Sequence, residues 1–123
     1  MIAYVDANII LDALLAKRPF TVDELAGLHT CTSAISLVEI ARRLRREDEG
    51  ADVWAIAQQA LEGVDVVAIS LPALEAAGQI PVRHLRSLDA IHVATALITR
   101  CDLVLTRDRQ MARACEELGL KVA

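Results

Sequence analysis

Two kinds of apolar run alternate along the chain. Ile2–Val5 is short, uninterrupted and β-prone, and it ends at Asp6; Ala7–Ala16 then repeats apolar residues with helical spacing until Lys17, Arg18 and Pro19 stop it. A strand feeding a helix opens the protein. Thr21 followed by Glu24 has the capping-box pattern of a short helix ending near Gly27, and His29–Cys31 is a brief second strand. Ile35, Val38, Ile40, Ala41 and Leu44 place an apolar stripe on a helix over Ala34–Arg46 that ends by Asp48–Gly50. Ala51–Leu61 has helical spacing and stops at Gly63, Val64–Ile69 is a third strand, and Leu71–Ala77 begins a helix with Pro72 as its second residue. Gly78–Arg86 is the least regular stretch. Ser87 is placed to cap a strongly apolar helix over Leu88–Thr99, and Leu103–Leu105 is a fourth strand. Arg109–Leu118 is a helix closed by Gly119, with Leu120–Val122 as a last short strand.

Strands this short and this apolar, each separated from the next by a helix, do not make alternating hairpins. They imply parallel β-α units with helices on both faces of the sheet, an α/β/α three-layer fold of four to five mainly parallel strands. In such a sheet the ligand site lies at the carboxyl edge of the strands.

Composition narrows the chemistry. With 123 residues, 54% of them hydrophobic and 24% charged, the chain has enough apolar material for one packed domain, which excludes disorder. No apolar stretch approaches the ~20 residues of a membrane span, and the N-terminus lacks the pattern of an export signal, so a cytoplasmic protein is expected. Cys31, Cys101 and Cys115 are far apart and odd in number, which fits small buried hydrophobes better than a disulfide framework or a thiolate metal site. His29, Trp54 and Met111 read as structural residues. Tyr4, Phe20 and Trp54 are the only aromatics, too few for a base-stacking platform, so any nucleic acid must be held electrostatically. The net charge of −4 gives that no support by itself, and the distribution of charge matters more.

Four acids fall where that distribution counts. Asp6 follows the first strand and Asp108 the fourth; Glu39 lies early in the Ala34–Arg46 helix and Asp89 in the first turn of the Leu88–Thr99 helix. Helices antiparallel to the strands bring all four to one edge. Singly, each has a structural explanation: Glu39 as the partner of Ser36 in a capping box, Asp89 at a helix dipole, Asp6 and Asp108 as caps. Together they repel one another unless protonated or neutralised by a cation. All-oxygen ligation suits Mg²⁺ or Mn²⁺, which keep waters, accept phosphate oxygens and activate water for phosphodiester hydrolysis.

The runs that carry these acids are Tyr4-Val5-Asp6-Ala7-Asn8, Ser36-Leu37-Val38-Glu39-Ile40, Ser87-Leu88-Asp89-Ala90-Ile91-His92-Val93-Ala94-Thr95-Ala96 and Thr106-Arg107-Asp108. In this order and over the whole chain they resemble the PIN-domain ribonucleases, at the size of the stand-alone VapC-type toxins. The resemblance implies a Mg²⁺- or Mn²⁺-dependent endoribonuclease with Asp6, Glu39, Asp89 and Asp108 as the metal and catalytic site. Asp6 and Asp89 would be the principal ligands, Glu39 and Asp108 ligands directly or through water, and Asn8 and Thr106 the residues that orient them. It also implies an RNA substrate, a VapB-like antitoxin that covers the acidic crevice, and a homodimer. The apolar faces of Ala51–Ala60 and Ile9–Leu15 are candidate surfaces for those partners.

With the four site acids set aside, thirteen acidic residues balance thirteen basic ones. Arg42, Arg43, Arg45 and Arg46 continue the helix that carries Glu39, and Arg83, His84, Arg86, Arg107 and Arg109 flank Asp89 and Asp108. Arg42, Arg43, Arg46, Arg86 and Arg107 are the candidate phosphate contacts; a solvated helix face explains the first cluster equally well. His92, one turn beyond Asp89 among apolar neighbours, reads as structural.

Two other readings stay open. A PIN-like scaffold that binds RNA or protein without cutting has the same fold. A haloacid-dehalogenase-like phosphatase also starts with a strand ending in Asp, but its second Asp would stand where this chain has Asn8. Nucleotide-binding glycine motifs are absent.

Overall fold

The structure, a computed structural model, describes residues 1–16, 27–47 and 52–123. The expected helix at Thr21–Glu24 and the end of the second helix at Asp48–Gly50 lie outside them. The elements run β1 (Ile2–Val5), α1 (Ala7–Leu15), β2 (His29–Ser33), α2 (Ile35–Glu47), α3 (Val53–Ala60), β3 (Asp65–Val67), α4 (Leu71–Gln79), α5 (Ser87–Ile98), β4 (Leu103–Leu105) and α6 (Arg109–Glu117). The four strands form one parallel sheet in the order β3-β2-β1-β4. Leu120–Val122 does not extend it as a full strand: Val122 makes a single parallel bridge to Val104.

β1 is the pivot. Tyr4 is in register with Cys31 on one side and Val104 on the other, and the Asp6 amide donates to the Leu105 carbonyl at 3.0 Å, so the ladder continues past the strand. Successive residues of a strand face opposite sides. Val5 enters a core layer with Ile10, Leu11, Ile40, Val53 and Ala57 from α1, α2 and α3; Tyr4 enters the opposite layer with Val93, Ala96, Met111 and Cys115 from α5 and α6. Burying one such large aliphatic side chain contributes about 1.5–3 kcal/mol, and Ile10, Ile40, Val93 and Met111 are all closed to solvent. The three cysteines are free and buried, with burial pushing the Cys115 thiol up to about 11.

Several local expectations are corrected. Gly78 and Gln79 belong to α4. Ser87 is the first residue of α5, which begins without a side-chain cap. The capping box at Ser36 and Glu39 does not form, because Ser36 lies inside α2 and bonds Thr32, while the Ser33 hydroxyl accepts from the Ile35 amide. His29 is paired with Asp65 at the exposed β2–β3 edge, and Trp54 is 47% exposed. The faces of α1 and α3 nominated as partner surfaces are largely spent on the α1–α2–α3 layer; Leu15 and Trp54 remain outside it. α6 ends as expected: Gly119 takes a φ of +83°, letting its amide reach Glu116 and that of Leu120 reach Cys115. Among the described residues, no helix is long and apolar enough to cross a membrane.

Candidate active site

The carboxyl edge of the sheet gathers the four acids from four elements. Asp6 leaves β1 and is 4% exposed, although it occupies the N-cap position of α1. Its carboxylate makes no capping hydrogen bond; Oδ2 accepts from Thr106 Oγ1 at 2.8 Å. The same threonine oxygen accepts the Asp108 amide at 3.1 Å, which locks the end of β4 to the end of β1. Asp108 caps α6, with Oδ1 accepting from the Gln110 and Met111 amides at 2.9 and 3.1 Å.

Glu39 and Asp89 arrive on helices whose first turns open at this edge. Glu39, in the second turn of α2, accepts from His92 Nε2 at 2.5 Å, and that nitrogen lies 4.0 Å from Asp6 Oδ1. His92 Nδ1 meets the Tyr4 hydroxyl at 2.5 Å, and the Tyr4 oxygen accepts the Ser33 amide at 3.1 Å. Thr32 Oγ1 donates to the Val5 carbonyl and bonds Ser36 beneath this layer. No buried side-chain nitrogen or oxygen among the described residues lacks a partner.

The electrostatics record the crowding. Burial raises the Asp6 pKa above its usual 3.8 and the Glu39 charge adds to that, against the pull of His92, the Thr106 hydroxyl and, more weakly, the Asn8 backbone N–H, which faces the carboxylate without completing a cap bond. Asp89 is raised by burial, then by Asp108, Asp6 and Glu39, with His92 opposing. Burial acts to lower the pKa of His92, but the Glu39 hydrogen bond and the charges of Glu39, Asp6 and Asp89 outweigh it and hold the ring above its usual value. Burial also drives the Tyr4 hydroxyl far up, so it stays protonated.

Among the described residues, no three Asp, Glu, His or Cys side chains stand together as a ready-made metal cage. Glu39 is engaged by His92 and Asp108 by its own helix. The donor chemistry nevertheless fits a hard divalent ion: buried carboxylates repel one another without a cation, and such ions commonly bind through one or two carboxylates and keep several waters.

The chain matches the family model described as "PIN domain" over residues 3–117. It belongs to the PIN-domain family. Solved structures share this PIN fold. They include a toxin–antitoxin complex from Klebsiella pneumoniae (23% identity, TM-score 0.67, 89% of each chain). VapBC-1 from nontypeable Haemophilus influenzae matches at 14% identity and a TM-score of 0.76, over 100% of this chain and 97% of that one. VapBC2 from Rickettsia felis, bound to a DNA fragment from its promoter, matches at 14% and 0.73, over 100% and 98%. No curated protein matches the chain in sequence. The family is one of nucleases acting on nucleic acids, and PIN nucleases generally use divalent metals.

In this PIN domain Thr106 touches an acid directly, whereas Asn8 is exposed in the first turn of α1. Arg42, Arg43 and Arg46 lie three, four and seven residues beyond Glu39 and are exposed, Arg43 beside Glu47 at 3.3 Å. Arg86 is exposed at the start of α5, and Arg107 is paired with Asp12 at 2.6 Å. Sequence reasoning weighed His92 and read it as structural, and passed over Tyr4 as a site residue. The available signal was the three-residue spacing of His92 from Asp89, which puts both on one helix face at the sheet edge.

Proposed function

We propose that the protein is a metal-dependent endoribonuclease, the VapC-type toxin of a toxin–antitoxin pair. The observation that carries this is Asp6: a buried carboxylate at a helix N-terminus that makes no cap, held by Thr106 through one oxygen, with its pKa raised by burial and further by the Glu39 charge. An inert scaffold has no use for so costly an arrangement. Asp6 and Asp89 serve as the principal ligands of Mg²⁺ or Mn²⁺, with Glu39 and Asp108 binding directly or through water. The ion, when bound, supplies charge neutralisation at the phosphate and lowers the pKa of water.

The chain's own residues do the rest. Thr106 orients Asp6, and Asn8 completes the polar rim. Arg42, Arg43, Arg46, Arg86 and Arg107 hold RNA phosphates as charge-assisted donors, which gives affinity without sequence preference. By analogy with the toxin–antitoxin complexes that share its fold, the partner is a VapB-like antitoxin whose segment covers the crevice, and the toxin is a homodimer in the cytoplasm.

The test is cleavage of total cellular RNA by the purified protein, freed of antitoxin, with Mg²⁺ or Mn²⁺, against EDTA and Asp89→Asn controls. Discrete cuts absent from both controls support the reading. Intact RNA from a protein shown to bind the ion returns weight to the non-cutting scaffold. Thermal stability gives a second readout: an ion at a hundred times its Kd stabilises the fold by about 2.7 kcal/mol.

A further inference from the structure

We infer that His92 is a positioning residue: its ring, aimed by the Tyr4 hydroxyl, fixes the Glu39 carboxylate at the acidic edge. The inference rests on the metal-nuclease reading above. Neither residue is open to a substrate, since His92 is 1% exposed and Tyr4 is fully buried. Whatever they do, they do through Glu39.

With His92 neutral, the hydrogen bonds run in one direction. Ser33 N–H donates to the Tyr4 oxygen, and the Tyr4 proton goes to His92 Nδ1. A neutral imidazole that accepts at Nδ1 carries its proton on Nε2, and Nε2 faces Glu39 Oε1 at 2.5 Å. The chain runs Ser33, Tyr4, His92, Glu39, from the end of β2 through β1 and α5 to α2.

Glu39 needs such an anchor more than Asp6 does. Its side chain has three rotatable bonds and is 28% exposed, whereas Asp6 is short and buried. The bond from His92 engages only Oε1 of Glu39, as the Thr106 hydroxyl engages only Oδ2 of Asp6. Because the same nitrogen also stands 4.0 Å from Asp6 Oδ1, the ring sets the spacing between two acids that would otherwise push apart.

The experiment is Mn²⁺ titration of the full chain, followed by electron paramagnetic resonance of the free ion, with melting curves as the check on folding. His92→Ala is expected to weaken Mn²⁺ binding about tenfold or more, and His92→Gln, whose amide keeps a donor near the Nε2 position, to recover most of it. Tyr4→Phe keeps the ring in place and removes only an atom that never reaches the ion. It is expected to weaken binding several-fold on its own, and to have no further effect in a Glu39→Gln background, because the path runs through Glu39. If His92→Ala does not fold, Tyr4→Phe still decides. Wild-type affinity in a folded Tyr4→Phe, or a loss that persists beside Glu39→Gln, overturns the inference while leaving the nuclease reading intact. A wild-type protein that binds no Mn²⁺ overturns both.

Discussion

The β1–α1 and β4–α6 junctions begin alike and end differently. Each has a strand of the parallel sheet, an aspartate at the N-cap position and a helix of nine residues. At β4–α6, Asp108 gives its Oδ1 to the amides of Gln110 and Met111. At β1–α1, Asp6 declines that role and is bonded instead by Thr106 from the other junction. One aspartate stabilises its own helix; the other is withdrawn from its helix and held by the neighbouring junction. The lesson is that an acid after a strand signals chemistry when its obvious structural use is left unfilled.

That contrast breaks most visibly at Asp6. Asp6→Asn should lower RNA cleavage by more than about a hundredfold, because charge stabilisation at the phosphate is worth several kcal/mol. It should also erase the Mn²⁺-induced rise in Tm and leave the metal-free Tm equal or higher, since a buried charge is removed. Next in size is the shared bond. Thr106→Val keeps the shape but orphans both the Asp6 carboxylate and the Asp108 amide, which should cost about 1–3 kcal/mol in urea unfolding at unchanged m-value. Asp108→Ala removes a true cap and should cost about 1 kcal/mol, whereas Asp108→Asn should cost almost nothing in stability. Equal losses from the two Asp108 variants would erase the distinction between the junctions.

The smallest effect is a slope with pH. Asp6 and Asp89 have native pKa values above the usual 3.8, so the folded protein keeps protons that the unfolded chain gives up. Their contribution is full below 3.8 and is lost as pH rises through the native values. His92, raised above its usual 6.5, acts with the same sign at higher pH. In EDTA, the wild-type Tm measured relative to Asp89→Asn should therefore fall as pH rises, and Mn²⁺ should flatten that slope. A relative Tm that climbs with pH contradicts the crowding of acids at this edge.

How far the sequence carried depended on range. β1, β4 and the helices after them were legible because apolar runs and their polar stops are local, and so was the common edge of Asp6 and Asp108. Glu39 with His92, and Thr106 with Asp6, are contacts between residues 53 and 100 positions apart. Periodicity says only that His92 is buried; whether its neighbour is an alanine or a carboxylate depends on how α5 lies against α2. The Ser36 and Glu39 capping box failed partly for that reason and partly for a local one. Its spacing was right, but Ser36 lies inside α2 and bonds Thr32 four residues back, while Glu39 meets His92 from α5. β3 came out shorter than its apolar run because an edge strand pairs only where its neighbour β2 extends.

The sheet order also sets a timetable. Asp6 is synthesised 100 residues before Thr106, whose hydroxyl holds it, and β4 flanks β1 only after α5 has been made. Until β4 has left the ribosome, Asp6 lacks the bond that aligns it. The four acids come together only when β4 closes against β1, so a chain cut before β4 does not present the assembled site.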